Sequence, residues 1–212
     1  MSQGKLSAVL AVLLVLDVAA SAQPRGLRRV RQVQRTSIVV TLGVANPQSH
    51  GRLREFWLNG PSGSAEFRVH LNPSLSLGGG GDMSLLYFNE AAFATRWPNV
   101  PIKTKENLFV GNVYIDAAYA PLPASIIRPF FKGQVGALFV TEAIYRQVIG
   151  NVRYTYYNVG GRTRLTLGVA TGVTWAFDYN FGLIAEIKAT YVHNDPAIGL
   201  LLFGRAGIQY KF

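Results

Sequence analysis

Apolar and polar positions alternate along most of the chain from residue 36 to its end. Between residues 66 and 77, for example, Phe67, Val69 and Leu71 fall on one face, while Arg68 and His70 fall on the other. A period of two is typical of a β-strand whose two faces meet different surroundings. The segment is longer than the usual strand of about 5–6 residues, and it matches the ~9–11 residues with which a tilted strand crosses a bilayer. The pattern therefore predicts membrane-spanning strands.

Eight segments follow this pattern, and the connections between them alternate in length. Short turns built of Gly, Pro, Asn or Asp are predicted at 78–82 (GGGGD), 121–125 (PLPAS) and 178–180 (DYN). Longer connections are predicted at 46–64, 94–107 and 142–161, and a modest one around 194–198. The segment 83–93 shows the weakest alternation. The eight predicted strands span residues 36–45, 66–77, 83–93, 108–119, 128–140, 162–177, 181–192 and 199–212.

The composition favours a barrel in a membrane over a soluble barrel. Charged residues make up 15% of the chain, whereas a soluble domain usually carries about 25%. A soluble barrel of the lipocalin type, the main alternative, points its apolar faces inward and should carry densely charged outer faces. The polar faces here carry mostly Gly, Ala, Thr and Ser, which suits a crowded interior. The predicted fold is all-β, an eight-stranded antiparallel transmembrane β-barrel of the outer-membrane type with both termini in the periplasm.

The aromatic residues indicate the same arrangement independently. An outer-membrane barrel carries girdles of aromatic side chains at its rims. Four tyrosines, Tyr145, Tyr154, Tyr156 and Tyr157, are expected at or above the rim that bears the long connections. The rim that bears the short turns should carry Tyr119, Phe177, Tyr179, Phe181, Tyr210 and Phe212.

The N-terminal part of the chain is predicted to direct export. Residues 1–22 combine Lys5, the apolar core LSAVLAVLLVL and a small-x-small site ending at Ala22, which are the features of a cleavable signal peptide. The core is too short for a transmembrane helix. Residues 23–35 hold five arginines and no acid and are expected to form a basic periplasmic arm, either a solvated tail or a contact to anionic lipid head groups. Because an exported protein does not meet a genome, no nucleic-acid partner is expected.

The last eight residues, RAGIQYKF, carry the most specific motif in the chain. Arg205, Gly207, Tyr210 and Phe212 stand at the spacing of a polar residue, a glycine and two aromatic residues, and this ending resembles the C-terminal β-signal of outer-membrane proteins. The segment 36–212 as a whole resembles the OmpA-like, opacity-type superfamily of eight-stranded outer-membrane β-barrels within the porins. The resemblance implies a location in the bacterial outer membrane, and assembly by periplasmic chaperones and the barrel-assembly machinery. We expect the protein to be a monomer rather than an oligomer.

The polar faces of the predicted strands define a candidate network inside the barrel. An eight-stranded barrel is so narrow that side chains fill it, and buried charges must be paired. Because the basic members outnumber the acidic ones, we expect a polar plug with a positive bias. A narrow channel for small solutes is the alternative. The expected members are Arg68, His70, Asn112, Asp116, Lys132, Gln134, Glu186, Lys188, Arg205 and Gln209, with Asn72 beside them.

Catalysis and cofactor binding are not expected from the sequence. Barrel enzymes that modify lipid A need a nucleophile, a histidine base and an orienting group. The candidate residues are His193 with Asp195, and Ser49 with His50. The lipid A deacylases carry a His-x-Ser-Asn pattern, and the sequence that begins at His193 lacks the serine of that pattern. Three scattered histidines make no metal site, and the chain has no cysteine.

The long connections hold the remaining candidates for binding, since binding residues concentrate on loops carried by a rigid scaffold. Arg52, Arg54, Arg146 and Arg153 should lie at or above the outer leaflet. Guanidinium groups suit the phosphates of lipopolysaccharide, which is therefore an expected partner along with outer-membrane lipid. Adhesion or binding of a protein partner through the same loops is equally compatible with the sequence.

Overall fold

A computed structural model describes residues 36–48, 52–101, 107–149, 151–159, 161–194 and 198–212. The predicted signal peptide (1–22), the basic arm (23–35) and the candidates Ser49, His50 and Asp195 lie outside the described residues.

Strands dominate the described part of the chain, and two short helices lie in the long connections. The helices are α1 (Arg52–Phe56) and α2 (Glu90–Arg96). No helix within these ranges is long and apolar enough to cross a membrane. The strands are β1 (Thr36–Pro47), β2 (Trp57–Leu58), β3 (Gly60–His70), β4 (Leu75–Phe88), β5 (Leu108–Tyr119), β6 (Ile127–Val140), β7 (Ala143–Ile149), β8 (Val152–Val159), β9 (Arg162–Ala176), β10 (Phe181–Val192) and β11 (Leu200–Lys211).

Eight of these strands close into an antiparallel barrel. Their order is β1, β3, β4, β5, β6, β9, β10 and β11, and β11 pairs with β1 from Ser37–Lys211 to Pro47–Leu201. Strand β2 extends the sheet beside the end of β4, and β7 and β8 form a separate two-stranded hairpin. The predicted all-β, eight-stranded barrel is confirmed. Closure leaves the C-terminal strand without a free edge, which explains how an alternating pattern can run to the end of the chain.

The first short turn lies elsewhere than predicted. The sequence GGGGD at 78–82 was expected to be a turn, but these residues lie inside β4 and pair with both β3 and β5. The turn is instead at Leu71–Ser74, where Asn72 Oδ1 accepts hydrogen bonds from the backbone N–H groups of Ser74 and Leu75. The single strand predicted over 66–77 is therefore wrong, and it is split between β3 and β4. The strand predicted over 83–93 ends at Phe88, and α2 follows.

The outward faces of the barrel form an apolar belt. Leu42, Met83, Ile115, Val169 and Ile187 are among its most exposed members. At the end that bears the short turns, aromatic side chains form a contiguous row, with ring centroids 4.8–6.5 Å apart from Phe177 through Phe181 and Tyr210 to Phe212, and on to Phe67. An apolar belt edged by aromatics is the surface that a lipid bilayer requires.

Gly207 lies in the seam between β1 and β11, opposite Thr41. A Cβ atom at this position would lie 1.9 Å from the Val40 carbonyl oxygen and 2.6 Å from the Thr41 Cα. The glycine of the C-terminal motif is thus required by a close backbone approach. Of the other motif residues, Arg205 points into the barrel, while Tyr210 and Phe212 are exposed on its outer face.

Candidate functional site

The interior of the barrel holds one continuous chain of ion pairs. Three carboxylates alternate with four cationic groups, and each carboxylate bridges two of the cations. Lys132 Nζ lies 2.9 Å from Glu66 Oε2 and 3.0 Å from Glu186 Oε2, and Glu186 Oε1 lies 3.9 Å from Arg205 Nη1. At one end Glu66 also pairs with Arg68. At the other end Asp82 pairs with both Arg205 and Lys188.

Equal numbers of basic and acidic side chains are buried in the interior, so that the expectation that the basic members outnumber the acidic ones is wrong. Among the described residues four basic side chains and four acidic ones are buried in the barrel. The bias was predicted because Asp82 was assigned to a turn and Glu66 was left out of the inward set. The basic members are Arg68, Lys132, Lys188 and Arg205, and the acidic members are Glu66, Asp82, Asp116 and Glu186.

Aromatic rings accompany the cations. Lys188 Nζ lies 4.1 Å from the centroid of the Tyr114 ring, and Arg205 Cζ lies 4.3 Å from that of Phe203. Cations over ring faces at these distances are stabilised by the ring quadrupole. Lys188 has no exposed surface, so that its charge depends entirely on Asp82 and these rings.

Most of the predicted interior residues lie inside the barrel, but they do not form a single network. Asn112 joins the ion-pair chain, since its Nδ2 donates to Asp82 Oδ2 at 3.1 Å. His70 and Gln209 form a separate cluster at the short-turn end, where both bond to the Ser37 hydroxyl, His70 through Nε2 at 3.1 Å and Gln209 through Nε2 at 3.2 Å. Asn72 is exposed in the turn.

Among the predicted interior residues, Asp116 and Gln134 differ from the rest. They lie opposite each other on β5 and β6 and are only 6% and 8% exposed. Neither carboxylate oxygen of Asp116 and neither amide atom of Gln134 has a hydrogen-bond partner within the described ranges. Asp116 therefore stands near the ion-pair chain without belonging to it.

Above the ion pairs, at the end of the long connections, lies an apolar cap. Here the inward residues of the strands change from polar to apolar, as at Leu86, Leu138 and Leu201. The connections between strands fold over this end and bury their own apolar side chains against it. Their contributions are Leu53, Phe56, Trp57, Phe93, Ala143, Tyr145, Tyr157, Val159 and Ile198, with Trp97, Val100 and Tyr156 partly buried beside them.

Phe93 of α2 lies at the centre of the cap. Its ring centroid is 5.0 Å from that of Trp97, 5.4 Å from that of Tyr145 and 5.7 Å from that of Phe88. The ring of Tyr157 lies 6.3 Å from that of Phe93 and 5.3 Å from that of Trp57. Of the tyrosines expected at or above this rim, Tyr145 and Tyr157 are thus buried in the cap, whereas Tyr154 is exposed. The cap was not predicted, because aromatic and helical residues spaced irregularly in long loops give no periodic signal.

The hairpin β7–β8 is buried only at its base. Tyr145 and Tyr157 face one another there, and beyond them a register irregularity separates the outer half, residues 146–149 and 152–155. In the outer half Val148 is 63% exposed, Ile149 and Val152 are 54% exposed, and Tyr154 is 46% exposed.

The arginines expected at the outer surface lie on two different elements. Arg146 and Arg153 are exposed on the outer half of the hairpin, and Arg54 is exposed on α1, which begins at Arg52. His193, the candidate base, is exposed just after β10. Within the ranges described, no group of three or more His, Asp or Glu side chains could hold a metal ion.

Comparisons with known proteins agree with this architecture. No protein-family model matches the chain, and a search of curated proteins finds no match. Neisserial surface protein A matches with a TM-score of 0.55 at 16% identity, covering 84% of this chain and 97% of that protein. OprG from Pseudomonas aeruginosa matches with a TM-score of 0.50 at 9% identity, covering 84% and 97%. The outer-membrane enzyme PagL matches only with a TM-score of 0.42 at 10% identity, covering 83% and 99%, which is too weak to bear on catalysis. The chain therefore has the fold of the small eight-stranded outer-membrane β-barrels, as its strand pattern predicted.

Proposed function

We propose that the protein is a closed outer-membrane barrel with a structural or interaction role at the cell surface, and that solutes do not pass through it. The observation that carries this proposal is the double obstruction of the interior. Buried ion pairs cross the middle of the barrel, and the apolar cap covers the end with the long connections.

Both obstructions oppose the passage of a small polar solute. A solute crossing the middle must separate a buried pair such as Lys132–Glu186, and breaking such a pair costs about 3–5 kcal/mol. The cap then offers it aromatic and aliphatic side chains in place of hydrogen-bonding partners, and an unpaired polar group in such surroundings is unfavourable by several kcal/mol. Conduction would require both to open together.

Solute flux into liposomes tests the closed barrel. We expect liposomes that contain the wild-type protein not to swell in isotonic sugar or glycine solutions. Glu186→Ala and Phe93→Ala each remove one obstruction, and neither alone should produce swelling. A general porin serves as the positive control. Swelling by the wild-type protein, at a rate that scales with protein content, would show that the interior conducts and would favour the narrow-channel alternative.

Contact with lipopolysaccharide phosphates is proposed for Arg52 and Arg54, which belong to the short helix beside the barrel rim. In membranes that contain lipopolysaccharide, Arg54→Ser should lower the thermal unfolding temperature, because a charge-assisted bond to phosphate is lost. The same substitution should have no effect in phosphatidylcholine bilayers. An equal unfolding temperature of both proteins in lipopolysaccharide would remove this part of the proposal.

The export segment and the orientation are proposed from the sequence. Cleavage after Ala22 would leave Gln23 as the mature N-terminus, with the arginine-rich residues 23–35 in the periplasm. Mass spectrometry of the protein isolated from outer membranes should give this N-terminus, and an uncleaved Met1 would contradict it.

A further inference from the structure

The outer half of the β7–β8 hairpin (residues 146–149 and 152–155) exposes apolar side chains together with two arginines. Three aliphatic side chains and Tyr154 are about half exposed or more, beside Arg146 and Arg153. These eight residues include no acid, no lysine and no proline. Ile149, Val152 and Tyr154 share one face of the hairpin, whereas Val148 lies on the other face with the two arginines. An exposed apolar face on a soluble part of a protein is typical of a site that a partner covers.

The backbone of this segment is also available for pairing. Strands β7 and β8 pair with each other and with no other described strand. Natural edge strands are usually protected from further pairing by lysine, proline or inward-pointing charges. The outer half has no lysine and no proline, and its two arginines oppose pairing with a basic strand but not with an acidic one. An acidic strand can therefore add to either edge through main-chain hydrogen bonds.

Lipid acyl chains are poorly placed to cover the segment. Strand β6 has 14 residues, whereas about 9–11 suffice to cross the hydrocarbon. The hairpin begins only after the end of β6, and its base is fixed in the cap by Tyr145 and Tyr157. The seven residues of β7 extend it by roughly 20 Å. The hairpin therefore begins at the cap, at the end of the barrel where β6 has already passed the hydrocarbon layer.

We propose that the outer half of this hairpin is a docking site for an extended, acidic strand of a protein partner. Strand addition satisfies the open edge. The apolar side chains of the partner strand extend the face that carries Ile149 and Val152, and its carboxylates meet Arg146 and Arg153 on the opposite face. Charge decides against a second copy of the same chain, because two such hairpins would bring four arginines together without an acid. The sequence alone predicts that Arg146 and Arg153 contact lipopolysaccharide. The present proposal assigns both arginines to a protein partner instead.

Synthetic peptides test the proposal on the complete protein in phosphatidylcholine nanodiscs. The probes are short peptides that alternate Val or Thr with Asp or Glu. One control set replaces the acids with Lys, and another keeps the acids but carries a central Pro that prevents strand pairing. We expect the acidic probes alone to bind by fluorescence anisotropy. Hydrogen exchange should then show protection of the amides in 146–149 or 152–155, which contact through side chains alone would not produce.

Charge reversal separates the hairpin from the rest of the surface. Arg146→Glu combined with Arg153→Glu should weaken binding at least about tenfold, since two ion pairs become two repulsions. Arg164→Glu, at an exposed arginine on β9, is the matched control and should leave binding unchanged. All variants should keep the heat-dependent gel mobility of a folded barrel. The proposal fails if no acidic probe binds or if the proline probes bind equally well. It also fails if vesicles of lipopolysaccharide protect the hairpin amides and the peptides do not.

Discussion

Asp82 and Asp116 are both buried in the barrel interior, but their surroundings differ. Asp82 pairs with Lys188 and Arg205 and accepts a hydrogen bond from Asn112. Asp116 accepts no hydrogen bond within the described part of the chain. Removing one member of a satisfied buried network leaves its partners unpaired, whereas removing a group that lacks partners leaves nothing behind.

Asp82→Asn should therefore lower the free energy of unfolding by about 3 kcal/mol or more, because two buried cations lose their carboxylate. Asp116→Asn, the matched control, should stay close to the wild type. Urea unfolding of the detergent-solubilised protein, followed by tryptophan fluorescence, measures both. If the two variants were equally destabilised, the ion-pair chain would not be the distinction between these sites.

Two glycines of β11 allow an equally direct comparison at the barrel seam. Gly207→Ala places a methyl group against the backbone of β1 and should cost about 1–3 kcal/mol and slow barrel closure. Gly204→Ala on the same strand meets no atom within 4 Å and should be neutral. Folding kinetics into lipid vesicles, read from gel mobility, provide the measurement. A normal folding rate for Gly207→Ala would mean that its role in the motif is recognition alone.

At the scale of the elements, strand patterning predicted most of the barrel. Strands β5, β6, β9, β10 and β11 lie within a few residues of the predicted bounds, because each alternates strictly between lipid and interior. The glycines at 78–81 misled the prediction, since glycine is common in turns. In this barrel β4 carries glycine at two inward positions, Gly78 and Gly80, where a Cβ atom would lie 2.9 Å and 2.4 Å from backbone oxygens of β3.

The ion pairs and the cap could be predicted less well, for different reasons. Inward-facing charges follow from the parity of each strand, but which charges meet depends on the stagger between strands, which no local pattern contains. Asp82 was not among the predicted interior residues, because the part of β4 that contains it was predicted to be a turn. The cap depends on contacts between α1, α2 and the hairpin, such as Phe56 with Trp97 at 5.5 Å, that join distant segments of the chain.

Phe93→Ala tests whether the cap is a unit with its own stability. Loss of the central ring should cost the cap about 3–5 kcal/mol, so that the connections open while the barrel stays closed. Limited proteolysis should cut within the long connections much faster than in the wild type, with the heat-dependent gel mobility retained. Tyr154→Ala, an exposed aromatic change, should leave the proteolysis rate as it is. A wild-type rate for Phe93→Ala would show that the loops are held by something other than this core.

At the scale of the whole molecule, the barrel combines two cores of opposite character. Charged side chains in the middle are compensated by one another, and apolar side chains at one end are covered by the loops. A lipid-facing belt surrounds both. The proposed structural or interaction role follows from this arrangement: the molecule is proposed to anchor a folded surface in the membrane without connecting its two sides.

Electrical recording from planar bilayers tests that central claim most directly. With the wild-type protein inserted at high salt, we expect a flat baseline without discrete current steps at any applied voltage, because both obstructions remain in place. Reproducible unitary steps from the wild-type protein would contradict the account and show that the interior is a channel.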